Sequence, residues 1–306
     1  MTDTTGRARS LEELGPLLER VFTPPENFAA VPLAPRSSDV MISPYGKSGT
    51  TMMQQMLHQL RTGGDMDFDD ISRVVPWIET APVLGVDINA DQRTEPRGFK
   101  SHCHYGAAPP GMRYVIPLRA AGPVFLSSYH FFEGWFLEPG AVSMAEYYGF
   151  WARLRGPVDA DYWDHLLSWW HRRDDPDTLL LSYDHVVANK RLVIAKFAAF
   201  CGISCDQALL DLVEERTSRA WMLTHKDRFD DSMLRKVSEE RGGLPPGSDS
   251  AKIRASDAPR KSLPPEIAEQ LDAEWQKRVT PVTGHADFAA LEADLVERLS
   301  RGAPDQ

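Results

Sequence analysis

A lysine sits inside a glycine-bounded turn in ISPYGKSGTTMMQQMLHQL, residues 42 to 60. Gly46, Lys47, Ser48, Gly49, Thr50 and Thr51 follow a short apolar run and lead into a segment of helical periodicity. A tight turn at a helix start presents unpaired backbone N–H groups and the positive end of the helix dipole, which together attract an anion. Lys47 adds a full positive charge, and Ser48, Thr50 and Thr51 add hydroxyl donors, so a phosphate or sulfate is the expected guest. The ATP-binding pattern G-x-x-x-x-G-K-[ST] is not met, because Met41 stands where its first glycine belongs. Taken alone, the segment also fits an ordinary helix capped by serine and threonine.

Two further stretches carry groups of the same chemistry. In EPRGFKSHCHYG, residues 95 to 106, Lys100 and His102 are two apart, so in an extended segment they share a face, and His104 joins them. A histidine near neutrality can take a proton from a hydroxyl while a lysine neutralises charge on a transferred group. In RYVIPLRAAGPVFLSSYHFF, Arg119 follows a strand and Ser127 lies inside the next helix. An arginine at a strand end can fork onto a phosphate, although a surface arginine and a helix serine explain this stretch equally well.

Alternating strands and helices must position these groups. The apolar runs at 39–43, 113–118 and 178–182 read as buried strands. Each leads into a helical stripe, the third ending at Gly202. This order predicts an α/β fold: a single domain, residues 1–306, with a central parallel β-sheet flanked by helices and a P-loop-like anion-binding loop. Ligands belong at the carboxyl ends of its strands. Residues 1–35 read as an N-terminal extension. The stretch 241–266, rich in glycine, proline and basic residues, reads as a long functional loop. The aromatic stretches VVPWIE (74–79), YHFFEGWF (129–136) and EYYGFWARL (146–154) are expected to be mostly core, and otherwise to line an apolar pocket.

Composition bounds the class. Of 306 residues, 42% are hydrophobic and 25% charged, which suits a globular core rather than a disordered chain. A net charge of −10 argues against broad nucleic-acid binding. No apolar run of signal-peptide or membrane-spanning length is present, so a cytoplasmic protein is expected. Cys103, Cys201 and Cys205 lack zinc-site spacing and read as reduced thiols, and no metal is expected.

Together these stretches resemble the cytosolic sulfotransferases, which use 3′-phosphoadenosine 5′-phosphosulfate (PAPS). That family's P-K-S-G-T-T-W loop is matched by YGKSGTTM, and its K-T-H segment by KSH at Lys100 to His102. Its R-N-x-x-D-x-x-x-S-x-x-H-F segment is matched by Arg119, Ser127, His130 and Phe131. LLLSYDHV gives Tyr183, and TSRAWM gives Thr217, Ser218 and Met222 for its T-S-F-x-x-M. The resemblance spans roughly residues 40 to 300 in order, and motifs in register are far more specific together than singly.

The resemblance implies a role for each position. His102 becomes the general base, Lys47 contacts the bridging oxygen, and Lys100 assists at the sulfuryl oxygens. The 5′-phosphate rests on Gly49, Thr50 and Thr51, with Ser48 in the same loop. The 3′-phosphate is held by Arg119 and Ser127, helped by Lys252, Arg254, Arg260 and Lys261, while Met52, Tyr183 and Ser218 complete the nucleotide site. The implied loop binds the phosphosulfate, the implied acceptor is a hydroxyl or amine of a small or lipid-like molecule, apolar or aromatic, and no metal takes part. The chain departs from the pattern at Met52 and Arg219, where the family has tryptophan and phenylalanine, and at Ala120 and Pro123. The family's K-x-x-x-T-V-x-x-x-E dimer signature is not recognisable either. Two rival readings remain: an ATP-using phosphotransferase, and a noncatalytic nucleotide-binding member of the family.

Overall fold

Val40–Ile42 (β1) is buried at every position, as a continuous apolar run must be when both sheet faces are covered. The computed structural model describes residues 6–24, 32–154, 160–250, 252–253 and 262–301. An initial helix, α1 (Leu11–Phe22), is followed by β1, α2 (Thr50–Thr62), and the short α3 (Ile71–Val74) and α4 (Ala81–Leu84). Then come β2 (Gly98–Lys100), β3 (Arg113–Leu118), α5 (Ala121–Trp135), α6 (Met144–Trp151), α7 (Tyr162–Trp170) and β4 (Thr178–Ser182). The C-terminal part holds α8 (Tyr183–Ala188), α9 (Lys190–Cys201), α10 (Gln207–Arg216), α11 (Arg219–Thr224) and α12 (Ser232–Gly242). It closes with α13 (Pro265–Glu274), α14 (Thr280–Thr283) and α15 (Phe288–Arg301).

The strands are parallel in the order β2-β1-β3-β4, with Val40 opposite both Gly98 and Arg113. The chain steps outward from β1 to β2, then crosses back to pair β3 on the other side of β1. That reversal opens a crevice beyond the carboxyl end of β1, the place where such sheets hold ligands. The expected α/β fold with a central parallel sheet is the observed one.

A buried ion pair ties the start of β1 to that of β2. Arg97 Nη2 lies 2.6 Å from Asp39 Oδ2 and its Nε donates to Asp39 Oδ1 at 3.0 Å, with both residues out of solvent. The forked geometry is what makes such a desolvated pair tolerable. Gly98 is required for packing, because a Cβ there would stand 2.6 Å from Leu57 of α2. α2 is buried along most of its length, and two of its inward amides find carbonyl partners. Gln54 donates to Val75 O at 3.0 Å and Gln59 to Asp65 O at 2.7 Å.

The aromatic segments form core. Trp135, Trp151, Trp169 and Tyr147 are essentially inaccessible, and they join Tyr114, Phe125 and Tyr129 in one cluster. α6 and α7 each start with a capping box, Ser143 with Glu146 and Asp161 with Asp164. α5 begins at Ala121, and its Pro123 falls in the first turn, where its missing N–H costs nothing. α1 buries Leu14, Leu17 and Val21 in the main core and packs closely on Gly242 of α12. Cys103 and Cys201 are buried thiols and Cys205 is partly covered, all three free. Among the described residues no helix is long and apolar enough to cross a membrane.

Candidate active site

The turn after β1 folds as its glycines demand. Gly49 has φ +92, and a Cβ there would meet the Tyr183 ring at 2.5 Å, so glycine is needed for both backbone and space. Lys47 also takes a left-handed conformation, φ +70. No side chain caps the start of α2. That leaves the helix N-terminus to act through its backbone donors and dipole. Ser48 and Thr50 are buried, while Thr51 and Met52 are half-buried.

Arg119, just past β3, braces this turn. Its Nη1 donates to Lys47 O at 2.9 Å and its guanidinium lies 4.5 Å over the Tyr183 ring. Tyr162 Oη donates to Arg119 O at 2.6 Å. Arg119, Tyr183, Lys47 and Gly49 are therefore one packed unit, assembled from three strand ends. Ser127 lies half-buried within α5. Ser218 caps α11 by accepting from Trp221 N–H at 3.2 Å, and Thr217 O accepts from Lys190 at 2.7 Å. Met52 and Trp221 both pack against the cluster of Phe68, Ile71, Met222 and Phe229. Arg254, Arg260 and Lys261 lie outside the described residues.

The second half of the site grows from β2. Its ladder ends at Lys100, and Ser101 N–H still donates to Ile42 O at 2.9 Å, so residues 100 to 102 leave the sheet beside the Lys47 turn. His102 Nδ1 is 2.7 Å from Pro44 O. A carbonyl can only accept, so Nδ1 carries the proton and Nε2 is left with a lone pair. His102 is half-buried, with Trp77 edge-on at 5.2 Å. The same Trp77 ring takes the Lys100 ammonium at 3.7 Å. His104, expected on the same face, instead caps the turn Tyr105–Ala107 by accepting from Gly106 N–H at 3.1 Å.

Burial shapes the charges. It pushes His102 down to about 3, aided by the nearby Lys100 and Lys252 and opposed by the bond to Pro44. The imidazole is thus neutral and able to accept a proton. Lys100 falls to about 8 by burial, with Asp231 pulling it back up. Asp231 is raised by its own burial, but Lys100, Lys252 and Lys47 outweigh that and bring it to about 2. Glu79 is raised by burial, although Ser101 Oγ at 2.6 Å and His102 N–H at 2.8 Å both donate to its Oε1.

Reading the sequence took VVPWIE only as an aromatic stretch, and so missed the contacts of Trp77 and Glu79, as it did those of Asp231. Their partners are 20 or more positions away, at the far ends of hydrogen bonds and ring contacts no local pattern encodes. Lys252 was grouped with the 3′-phosphate contacts. The fold sets it 2.5 Å from Asp231 and 4.1 Å over the Phe131 ring, on which Lys47 also sits at 4.0 Å.

A lysine turn at a helix N-terminus, a neutral histidine and a second lysine meet at the carboxyl edge of a parallel sheet, an arrangement able to stabilise negative charge on a bound group. The sulfotransferase domain model matches residues 37–282, and the chain belongs to that family; it is a sulfotransferase enzyme. It is 28% identical over 206 residues to human sulfotransferase 4A1, covering 62% of this chain and 68% of the relative. To human sulfotransferase 1C2 it is 25% identical over 235 residues, 71% of this chain and 77% of the relative. Among solved structures, retinol dehydratase in complex with androsterone and the inactive cofactor PAP aligns with a TM-score of 0.64 at 18% identity, covering 89% of this chain and 95% of that one. Mouse SULT7A1 complexed with PAP aligns at 0.55 and 16% identity, covering 94% and 95%. These likenesses bear on the fold.

Proposed function

We propose that the protein is a cytoplasmic sulfotransferase that moves the sulfuryl group of PAPS to a hydroxyl or amine of a small or lipid-like acceptor. The observation that carries this reading is the meeting of the Lys47 turn with neutral His102 and Lys100 at the ends of the adjacent strands β1 and β2. His102 Nε2 takes the acceptor's proton as the acceptor oxygen bonds to sulfur. The bond from sulfur to the bridging oxygen breaks, and adenosine 3′,5′-bisphosphate leaves with the electron pair. Lys47 neutralises the departing oxygen and Lys100 the sulfuryl oxygens.

The start of α2, with Gly49, Thr50 and Thr51, takes the 5′-phosphate, and Arg119 with Ser127 takes the 3′-phosphate. The base lies near Met52, Tyr183 and Ser218. Retinol dehydratase, of the same fold, was solved with PAP and androsterone and with PAP and retinol, and a similarly apolar acceptor would suit the Trp77 ring beside His102.

Calorimetry with adenosine 3′,5′-bisphosphate tests the nucleotide site. Native protein binds it, and Lys47→Ala weakens that binding. No heat with native protein would move the chain to the noncatalytic reading, and binding of ATP with magnesium instead would favour the phosphotransferase. Transfer of label from PAPS to a panel of phenols, sterols and primary alcohols tests the reaction. His102→Ala keeps nucleotide binding and loses transfer; an active His102→Ala protein would remove His102 as base.

A further inference from the structure

Lys252 is anchored to the site by its neighbours. Asp249 N–H donates to Gly134 O at 3.0 Å, Ser250 Oγ to Asp230 O at 2.5 Å, and Ile253 packs against the Phe68, Met222 and Phe229 cluster. Asp231 is fixed as well. It is 4% exposed, has φ +52, and directly precedes Ser232 and Met233, which both donate to Asp70 Oδ2, at 2.9 and 3.1 Å. Its carboxylate meets Lys252 at 2.5 Å and Lys100 at 3.8 Å. Lys252 thus shares a ring with Lys47 and a carboxylate with Lys100, the two lysines that flank the transferred group in the reading above. Lys100 and Lys252 share the Asp231 carboxylate, and Lys47 stands beside Lys252 on the Phe131 ring, so three ammonium groups converge where an incoming anion would arrive.

Resting on the sulfuryl-transfer reading, we propose that Lys252 is a third cationic contact for the group being transferred, and that Asp231 is the positioning residue that holds Lys252 and Lys100 for it. The bisphosphate product has both phosphates but no sulfuryl group, so it separates this role from a grip on the 3′-phosphate. Asp231 also keeps Lys100 protonated. The groups that face Lys100 are Asp231, Lys252, Asp70, Glu79 and His102, and the loss of one carboxylate lowers its pKa further.

The test measures bisphosphate binding by calorimetry and kcat with the best acceptor of the panel. Lys252→Met is expected to bind bisphosphate within about twofold of native and to lose roughly a hundredfold in kcat. Asp231→Asn, whose side chain also tolerates the left-handed backbone, is expected to move the descending limb of the kcat–pH profile down by roughly one unit. A large loss of bisphosphate affinity with kcat kept in Lys252→Met would put Lys252 on the 3′-phosphate and overturn the proposal. An unmoved pH limb in Asp231→Asn would overturn the positioning role. If native protein binds no bisphosphate, the transfer reading fails and takes this one with it; if native binds and transfers, only the Lys252 and Asp231 assignments are at stake.

Discussion

Gly49→Ala is the sharpest test of how the turn is built. Two penalties apply. A non-glycine residue at φ +92 is strained by roughly 1–2 kcal/mol. The new Cβ would also stand 2.5 and 2.7 Å from two carbons of the Tyr183 ring, an overpacking worth about 1–3 kcal/mol. The expected loss in urea unfolding is therefore roughly 2–5 kcal/mol. Because Arg119 stacks on Tyr183 and bonds to Lys47 O, relieving the clash by moving the ring also shifts the turn, so bisphosphate affinity falls too. A double-mutant cycle with Tyr183→Ala separates the parts. Removing the ring recovers the clash and leaves the backbone strain, giving a favourable coupling of about 1–3 kcal/mol. A coupling near zero, or Gly49→Ala with native stability and affinity, would refute the placement of Tyr183 on the turn.

Glu79→Ala strips the acceptor from Ser101 Oγ and His102 N–H, at about 1–3 kcal/mol for each donor left buried and unpaired. It should lower kcat more than tenfold by loosening His102, while Glu79→Gln, which keeps the accepting oxygen, stays near native in steady-state kinetics. Stability should also fall with acid. His58 and His165, held at about 4 and 3 chiefly by burial, lie below the ordinary 6.5, so the unfolded chain binds more protons between those values. Their contribution is complete above pH 6.5 and is lost as pH falls towards 4, at roughly 1.4 kcal/mol per pH unit for each histidine near pH 5. Glu79, raised by burial, works in the opposite direction. Urea midpoints between pH 7 and 4.5 read the sum, and a flat profile would contradict the neutral buried histidines.

Much of this was local and therefore legible in the sequence. Strand runs such as RYVIPL, the glycine stops and the lysine turn depend on neighbours a few positions away, and motifs in register carried the family. The sequence also placed Lys47, Lys100 and His102, because each sits at a fixed offset from a strand end. What it could not carry were contacts between distant segments. The tautomer of His102 depends on Pro44 O, 58 positions earlier, and its backbone is held by Glu79 from a separate turn. Arg119 looked like a phosphate ligand on a strand end, and only the packed structure shows that it also braces the carbonyl of Lys47. Lys252 was one basic residue in a long irregular loop. Burial of Asp231 and the shared Phe131 ring drew it to Lys100 and Lys47, because a desolvated carboxylate needs cations, and the fold decides which ones reach it.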